Sequence, residues 1–146
     1  MEQTQNFKNH TRYFPFHHFI LTPLTLVYFI WTIVDLDFSS GSATSESIKS
    51  LILAFIIVCL PLLARIYALK NQNRIIFAEM RARYAELRGR SFSEVESKLS
   101  GGQIIALRFA SDEELIPLVE ESISNNLSSK EIKMKIKNWR GDYRRV

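Results

Sequence analysis

Three histidines and one cysteine are the side chains in this sequence best suited to bind a metal or a haem. His10 and His17 would lie on one face of a continuous helix, with His18 beside them. Ligation would need partner histidines on the second apolar stretch of the chain, and that stretch has none. The single thiol, Cys59, lies inside that stretch and is typical of a small hydrophobe. We therefore predict no cofactor and no metal.

The densest acidic run is Asp112, Glu113 and Glu114. Such carboxylates can bind a metal, but here they begin a predicted helix, where negative charge complements the helix dipole. We favour helix stabilisation. The pair at residues 101–102, two glycines, is interpreted as a turn. The sequence contains no glycine-rich phosphate loop, no metal-ligand spacing of Cys or His and no nucleophile elbow, so it predicts a protein that is not an enzyme.

Two apolar stretches in the first half of the chain are the elements that must position everything else. Residues 16–34 contain no Asp, Glu, Lys or Arg, and as a helix they span about 30 Å. Residues 48–69 form the second stretch, with Lys49 and Arg65 near its ends, from which long basic side chains reach the headgroups. We predict that both cross a lipid bilayer, as an antiparallel helical hairpin.

Two other interpretations of these stretches stay open at the level of sequence. The first stretch has features of a cleaved signal peptide, with Gly41 and Ala43 as small residues before a cut. Its apolar region is long for that role, and Asp35 and Asp37 would precede the cut. The second stretch has a short uncharged run, residues 50–64, as in a buried core helix of a soluble protein. Nothing else in the chain is large enough to enclose it.

The charges on the connecting segments predict the orientation of the hairpin. Residues 35–47 carry three acidic side chains and no Lys or Arg. The other flanks carry basic side chains, at Lys8, Arg12, Arg65, Lys70 and Arg74. Because segments rich in Lys and Arg stay in the cytoplasm, we expect both termini to be cytosolic and residues 35–47 to be external. Pro23 and Pro61 are expected to kink the spans without breaking them.

The second span is expected to continue beyond the membrane as one helical stalk, because no Pro or Gly follows Leu69 until Gly89. Seven residues at steps of three or four form a largely apolar stalk stripe: Ile66, Leu69, Asn73, Ile76, Met80, Tyr84 and Leu87. Either the chain's own C-terminal helices bury this stripe, or a partner does. The partner would be a second copy, in a parallel coiled coil with Asn73 setting the register, or another membrane protein.

Residues 91–146 predict a small helical module. Three Ser-x-x-Glu pairs have the spacing of a capping box, in which the two side chains satisfy backbone donors of the first turn: Ser91 with Glu94, Ser111 with Glu114, and Ser128 with Glu131. They predict helices at 92–99, 112–126 and 129–143, and a further helix is predicted at 103–110.

The last predicted helix combines an apolar face with many basic residues. Its apolar face holds Ile132, Ile136, Trp139 and Tyr143. The alternation in IKMKIK is also typical of a strand, but the capping box favours a helix. With the helix before it, this element is similar to a helix-turn-helix reader of DNA, in which Lys133, Lys137 and Arg140 would contact nucleic acid. No second basic element is present to clasp a backbone, so nucleic acid remains the alternative partner.

The chain also resembles a family of small bacterial membrane proteins known only as a domain of unknown function. The similarity covers essentially the whole chain and is carried by QNFKNHTRY, RIYALKNQNRIIFAEMRARY, QIIALRFASDEEL and IKNWRGDYRRV, of which QIIALRFASDEEL is the most specific. Residues 70–73 depart from a more usual stretch that contains an acidic residue. The resemblance implies two N-terminal transmembrane helices, a bacterial inner-membrane location and a cytosolic helical domain, with no catalytic residues.

Together these patterns predict an all-α fold in four parts. Residues 1–15 are a cytosolic segment, 16–69 the transmembrane hairpin with its external loop at 35–47, 70–90 the stalk and 91–146 the cytosolic module. The predicted function is that of a non-enzymatic accessory or scaffold subunit that binds a protein partner or a second copy in a larger membrane assembly.

Two sets of residues are the candidate sites for this function. The candidate interaction surface comprises Ile76, Met80, Tyr84, Phe109, Trp139 and Tyr143. The candidate contacts with anionic lipid, or with nucleic acid, are Arg65, Lys70, Arg74, Lys133, Lys137 and Arg140.

Overall fold

The structure is a computed structural model that describes residues 5–10, 13–36 and 44–142. Within these ranges every regular element is a helix, which confirms the predicted all-α class. The elements are a π-helical turn (Phe16–Leu21), α1 (Thr22–Val34), α2 (Ser45–Arg88), α3 (Ser93–Glu96), α4 (Gly101–Leu107), α5 (Asp112–Ser124) and α6 (Ser129–Lys135).

The described residues form two compact units. The apolar unit lies within residues 13–70 and contains the π-helical turn, α1 and the first part of α2. The helical unit combines residues 5–10 with residues 71–142. The chain therefore contributes to the helical unit both before and after its apolar stretches.

The apolar unit contains two helices that are long and apolar enough to cross a membrane. The first runs over Phe16–Val34, with the bounds predicted, and only 6% of its apolar window is buried. The second lies within α2, where 11% of the apolar window is buried. Thr25 on the first helix and Ala54 on the second are buried, and the rings of Phe29 and Phe55 lie 6.1 Å apart. Almost all of the remaining apolar surface of this unit faces outward.

The two prolines of the apolar unit lie in helices. Pro23 is the second residue of α1 and directly follows the π-helical turn. Proline lacks a backbone N–H, and its ring crowds the carbonyl group four residues earlier. That carbonyl group lies in the π-helical turn, whose wider backbone changes its geometry. Pro61 lies inside α2, which continues through it, as expected of a span in which freed backbone groups find other partners. Its carbonyl oxygen lies 3.1 Å from His17 Nε2.

Helix α2 continues without interruption from Ser45 to Arg88, so the predicted continuation of the helix beyond Leu69 is confirmed. It ends because Gly89 adopts a left-handed conformation, with φ +68°. Glycine is the usual residue at this position, since it has no Cβ to clash with the preceding carbonyl.

The core of the helical unit is built on the middle of the stalk stripe. Ile76, Met80 and Tyr84 are each at most 5% exposed. They pack in one cluster with side chains from every later part of the unit, including Phe92, Leu107, Phe109, Leu115 and Ile132. The chain's own C-terminal elements therefore cover the middle of the stripe. Its ends, Ile66 and Leu87, remain exposed.

The helix starts of the helical unit differ in part from those predicted. The Ser128–Glu131 capping box forms as expected. Ser91 and Ser111 make no such box, because α3 begins one residue later than predicted, with Phe92 as its N-cap, and Glu114 has other partners. A box that was not predicted forms at Ser100 with Gln103 at the start of α4.

The interpretation of residues 101–102 as a turn is wrong. Both glycines lie in the first turn of α4. A Cβ at Gly102 would lie 2.7 Å from the Oγ of Ser129, at the start of α6. A side chain at residue 102 would force the Ser129 hydroxyl to rotate away, so this glycine marks the close approach of two helix starts rather than a chain reversal.

The last predicted helix is shorter than expected, because α6 ends at Lys135. Ile136 is extended, and the chain then runs beside the end of α4, where Trp139 and Ala110 form an antiparallel bridge. The Glu114 carboxylate accepts hydrogen bonds from the backbone N–H groups of residues 137 and 138. These tertiary hydrogen bonds replace those that a longer helix would make. Tyr143 lies outside the described residues.

We expect Ile132→Ala to lower the free energy of unfolding of the helical unit by about 3 kcal/mol, because deletion of buried methyl groups leaves a cavity. Ile132 is fully buried, whereas Met134 on the same helix is 55% exposed. Denaturant unfolding can be followed by Trp139 fluorescence in a Trp31→Phe chain, since these are the two tryptophans. Met134→Ala is the matched control and should change stability by less than about 0.5 kcal/mol; equal effects of the two substitutions would contradict the packing described.

Candidate functional site at the end closed by the N-terminal segment

The N-terminal segment, Gln5–His10, packs against the C-terminal part of the helical unit. Gln5 is only 5% exposed, and its Oε1 accepts a hydrogen bond of 2.7 Å from the backbone N–H of Asp142. Its Nε2 donates to the carbonyl of His10, so one side chain ties the segment both to itself and to the far end of the chain. Between these residues a turn closes through Asn6 and Asn9, whose backbone and side chains bond to each other.

Four rings form an aromatic cluster where this segment packs on the rest of the unit. Phe7 and His10 come from the segment, and Phe109 and Trp139 from the rest of the unit. The His10 ring lies 5.9 Å from the rings of both Phe109 and Trp139, and these two rings are 5.0 Å apart. The Arg108 guanidinium lies 4.4 Å from the centre of the Phe109 ring, where a cation is attracted to the ring face. The segment is therefore held by ring contacts as well as by hydrogen bonds.

The partners of His10 define its tautomer. Its Nε2 lies 3.2 Å from the Nζ of Lys133, and an ammonium can only donate a hydrogen bond. Nε2 therefore accepts, and the ring proton is on Nδ1, which donates to the carbonyl of Phe7 at 2.7 Å. This assignment follows from the hydrogen-bond partners and describes a neutral imidazole.

A network of arginines and aspartates lies beside the aromatic cluster. Arg83 on α2 donates to Asp112 Oδ1 at 2.6 Å and to the carbonyls of Arg108 and Ala110. Its side chain is only 12% exposed. Arg140 reaches the same Asp112 oxygen at 3.2 Å. These bonds hold α2, the α4–α5 connection and the C-terminal segment together at one point.

These ion pairs change the acidity of their carboxylates. The hydrogen bond from Arg83 lowers the pKa of Asp112 below its ordinary value, and the charge of Arg140 acts in the same direction. The pKa of Glu96 is lowered in the same way by the hydrogen bonds from Arg81. Both carboxylates are therefore stabilised as anions in the folded chain.

A cleft of about 730 Å³ runs along α2 next to this network. Its charged lining residues are of both signs: Glu79, Arg83, Glu86, Arg108, Asp112, Arg140 and Asp142. Most of them already pair within the unit, as Arg108 does with Asp142 at 3.3 Å. In the described part of the chain no group of three or more His, Cys, Asp or Glu is placed to hold a metal ion. The arrangement is suited to holding chain segments together.

The candidate interaction surface predicted from the sequence must be corrected. Ile76, Met80, Tyr84 and Phe109 are buried in the core of the helical unit and are not exposed to a partner. An apolar stripe in the sequence shows only that one face of the helix must be buried. Here other elements of the same chain bury it. Trp139 is half-buried beside Phe109.

The predicted basic contacts are divided between the two units. Arg65 and Lys70 belong to the apolar unit, and Arg74 to the helical unit. Lys70 and Arg74 are exposed, and Arg65 is half-buried. Among the C-terminal candidates, Lys133 faces His10 and Arg140 pairs with Asp112, whereas Lys137 is exposed. Lys137 and Arg140 lie beyond the end of α6, so the helix that was expected to enter a DNA groove does not carry them.

Sequence reasoning missed the residues that close this end of the unit, namely Gln5, His10, Arg83 and Arg108. Arg83 is not a member of the predicted stalk stripe, yet its side chain is only 12% exposed. The available signal was the carboxylate at Asp112, for which a buried arginine is a common partner. Gln5 and His10 gave no local signal, because their partners lie more than a hundred residues away in the sequence.

Acid should weaken the helical unit through Asp112. Because its folded-state pKa is lowered, it contributes stability above its ordinary value of 3.8, and this contribution is lost as the pH falls through the lower folded value. Asp112→Asn should lower the unfolding free energy at neutral pH by about 1 kcal/mol and make its decline in acid shallower. Denaturant unfolding between neutral and acidic pH would measure both. Glu94→Gln, at an exposed position, is the control; an unchanged acid decline in Asp112→Asn would contradict the role of this ion pair.

Comparison with known proteins gives one match. No curated protein and no solved structure matches the chain. The model of a family described as a family of unknown function, DUF6526, matches residues 1–146, which include the two apolar helices and the residues of the helical unit described above. The chain belongs to DUF6526, a family of unknown function.

Proposed function

We propose that this chain is a bacterial inner-membrane protein that crosses the bilayer twice and acts as a non-enzymatic accessory subunit, with its helical unit in the cytosol. The observation that carries the proposal is the exposed apolar surface of the apolar unit. Among the described residues, all but three of the large exposed apolar side chains belong to this unit, and the exceptions are Ile75, Leu87 and Met134.

The free energy of this surface favours lipid over water. Burial of a large apolar side chain contributes about 1.5 to 3 kcal/mol, and side chains such as Phe19, Trp31 and Val34 are each more than 60% exposed. Inside the spans the backbone polar groups are satisfied by helical hydrogen bonds, as a bilayer requires. Both conditions for a membrane hairpin are met by the same residues.

Two independent features support a common side of the membrane for both ends, and the first of them also favours the cytosol. The first is charge, since residues 35–47 are acidic while Lys70 and Arg74 are basic and exposed. The second is the make-up of the helical unit. Residues from before the first span, such as Gln5, bond to residues from after the second, such as Asp142. These bonds require an even number of membrane crossings between their partners.

The accessory role is supported by what the helical unit offers. Its apolar stripe is largely used in its own core, and ion pairs such as Arg81–Glu96 and Arg83–Asp112 tie its elements together, so it presents a folded body beside the membrane. A protein partner or a second copy would bind through the spans or the exposed Ile75 and Leu87. Lys70 and Arg74 are suited to contact anionic lipid, each being attracted by about 1 kcal/mol near the surface.

The topology can be tested with single cysteines, because Cys59 is the only native one. In a Cys59→Ala chain, Thr4→Cys and Ser97→Cys should react with a membrane-impermeant maleimide in inside-out vesicles, whereas Ser39→Cys should react only after the vesicles are opened. The membrane fraction should retain the protein after carbonate extraction. Reaction of Thr4→Cys and Ser97→Cys from opposite sides would contradict the hairpin.

The accessory role makes a separate prediction. Crosslinking in native membranes followed by mass spectrometry should recover the chain together with a protein partner or with a second copy, because an accessory subunit binds a larger assembly. A soluble protein of similar abundance provides the background control. Recovery of the chain only as a monomer would count against this role and would leave the membrane topology unaffected.

A further inference from the structure

The cleft along α2 presents two exposed glutamates, Glu79 and Glu86, beside the ion pair of Arg83 with Asp112. We propose that this cleft binds the basic cytosolic flank of a membrane-spanning helix in a partner protein. The inference rests on the proposed accessory role and names the chemistry of the partner that this role requires. Every described residue that lines the cleft belongs to the helical unit.

The arginines that line the cleft already have carboxylates of the helical unit within ion-pair distance. Arg83 and Arg140 share Asp112, at 2.6 Å and 3.2 Å. Arg108 lies 3.3 Å from Asp142. The seven charged lining residues are three arginines and four carboxylates, so the cleft is acidic by one charge.

The two remaining carboxylates are those of Glu79 and Glu86. In the part of the chain that the structure describes, neither of them makes an ion pair. Arg81, two residues after Glu79, pairs instead with Glu96 at 2.6 Å. Since both glutamates are exposed, they are available to bind a cation of another chain.

The spacing of the two glutamates fits a second helix. They are seven residues apart, which places them on one face of α2, about two turns and about 10 Å apart along its axis. Leu87, next to Glu86, is 39% exposed and adds an apolar contact to the same cleft. A helix with Lys or Arg at seven-residue spacing and an apolar side chain beside one of them matches this face.

A basic helix is also what a membrane partner offers in the cytosol. Cytosolic segments that flank membrane spans are rich in Lys and Arg. Helix α2 carries the second apolar stretch, which ends at Leu69, and the lining of the cleft begins on the same helix at Ile76. A partner span that packs beside α2 would therefore bring its basic flank to the cleft. Nucleic acid and anionic lipid are disfavoured here, because both unpaired lining charges are negative.

The test uses the full chain in nanodiscs of zwitterionic phosphatidylcholine and a synthetic helical peptide as the probe. The peptide has capped termini, no acidic residue, two lysines seven residues apart and a leucine beside the second lysine. A carbodiimide joins carboxylates to lysine amines in direct contact, and mass spectrometry identifies the glutamates that are joined. Coupling should occur at Glu79 and Glu86, should exceed coupling at the exposed Glu94, and should fall as salt is added.

Matched peptides and variants test the charge pairing. A peptide of the same composition with lysines five residues apart, on different faces, should couple about threefold less, because only one ion pair can form. Glu79→Gln should lower coupling at Glu86 about threefold for the same reason, whereas Glu94→Gln should not change it. Glu79→Lys combined with Glu86→Lys should abolish coupling of the lysine peptide and allow coupling of a peptide with glutamates in place of lysines.

Equal coupling at Glu79, Glu86 and Glu94, or coupling that ignores the lysine spacing, would overturn the proposal. Two other occupants would also overturn it. Coupling of these glutamates mainly to lysines of a second copy would make that copy the occupant. Coupling of the peptide only after the chain is shortened to residue 142 would make the chain's own residues 143–146 the occupant. The accessory role would survive each of these results, because crosslinking in native membranes tests it without reference to the cleft.

Discussion

One uninterrupted helix, α2, belongs to both compact units, and the rest of the structure depends on how its two parts differ. In its first part α2 is apolar on nearly every side, and in its last part it is apolar on one side only. The one-sided part cannot be stable alone, because Ile76, Met80 and Tyr84 would meet water. The C-terminal elements fold onto this face, and the core they form with it is the body of the helical unit.

Properties that depend on local sequence could be predicted well. Length and apolar character decide the two long helices, so their bounds followed from the residues that interrupt them, such as Gly89. The periodicity of the stalk predicted which side needs a cover. It could not say what provides the cover, because the same pattern suits a coiled coil, a foreign partner or the chain itself.

Properties that depend on tertiary contacts could not be predicted from local rules. Gly102 has the sequence pattern of a turn residue, yet it lies in the first turn of α4, where a Cβ would meet the Ser129 hydroxyl at the start of α6. Glu114 has the spacing of a capping partner, yet its carboxylate holds the C-terminal segment and ends α6 early. In both cases the local pattern predicts a plausible role for the residue. A contact with a residue distant in the sequence gives it a different role in the folded chain.

The short N-terminal segment, Gln5–His10, constrains the path of the whole chain. Its contacts join residues on either side of the apolar stretches, so they act on the chain as a clasp around the whole hairpin. If residues 16–34 and 48–69 span a bilayer, such a clasp forms only when both flanks emerge on one side. The charges of the flanking segments and the hydrogen bonds of Gln5 and His10 thus give two unrelated physical arguments for the same topology. Charge acts during insertion, whereas the clasp acts after folding, and a chain inserted with its flanks apart would lack the contacts that His10 makes with Lys133 and Trp139.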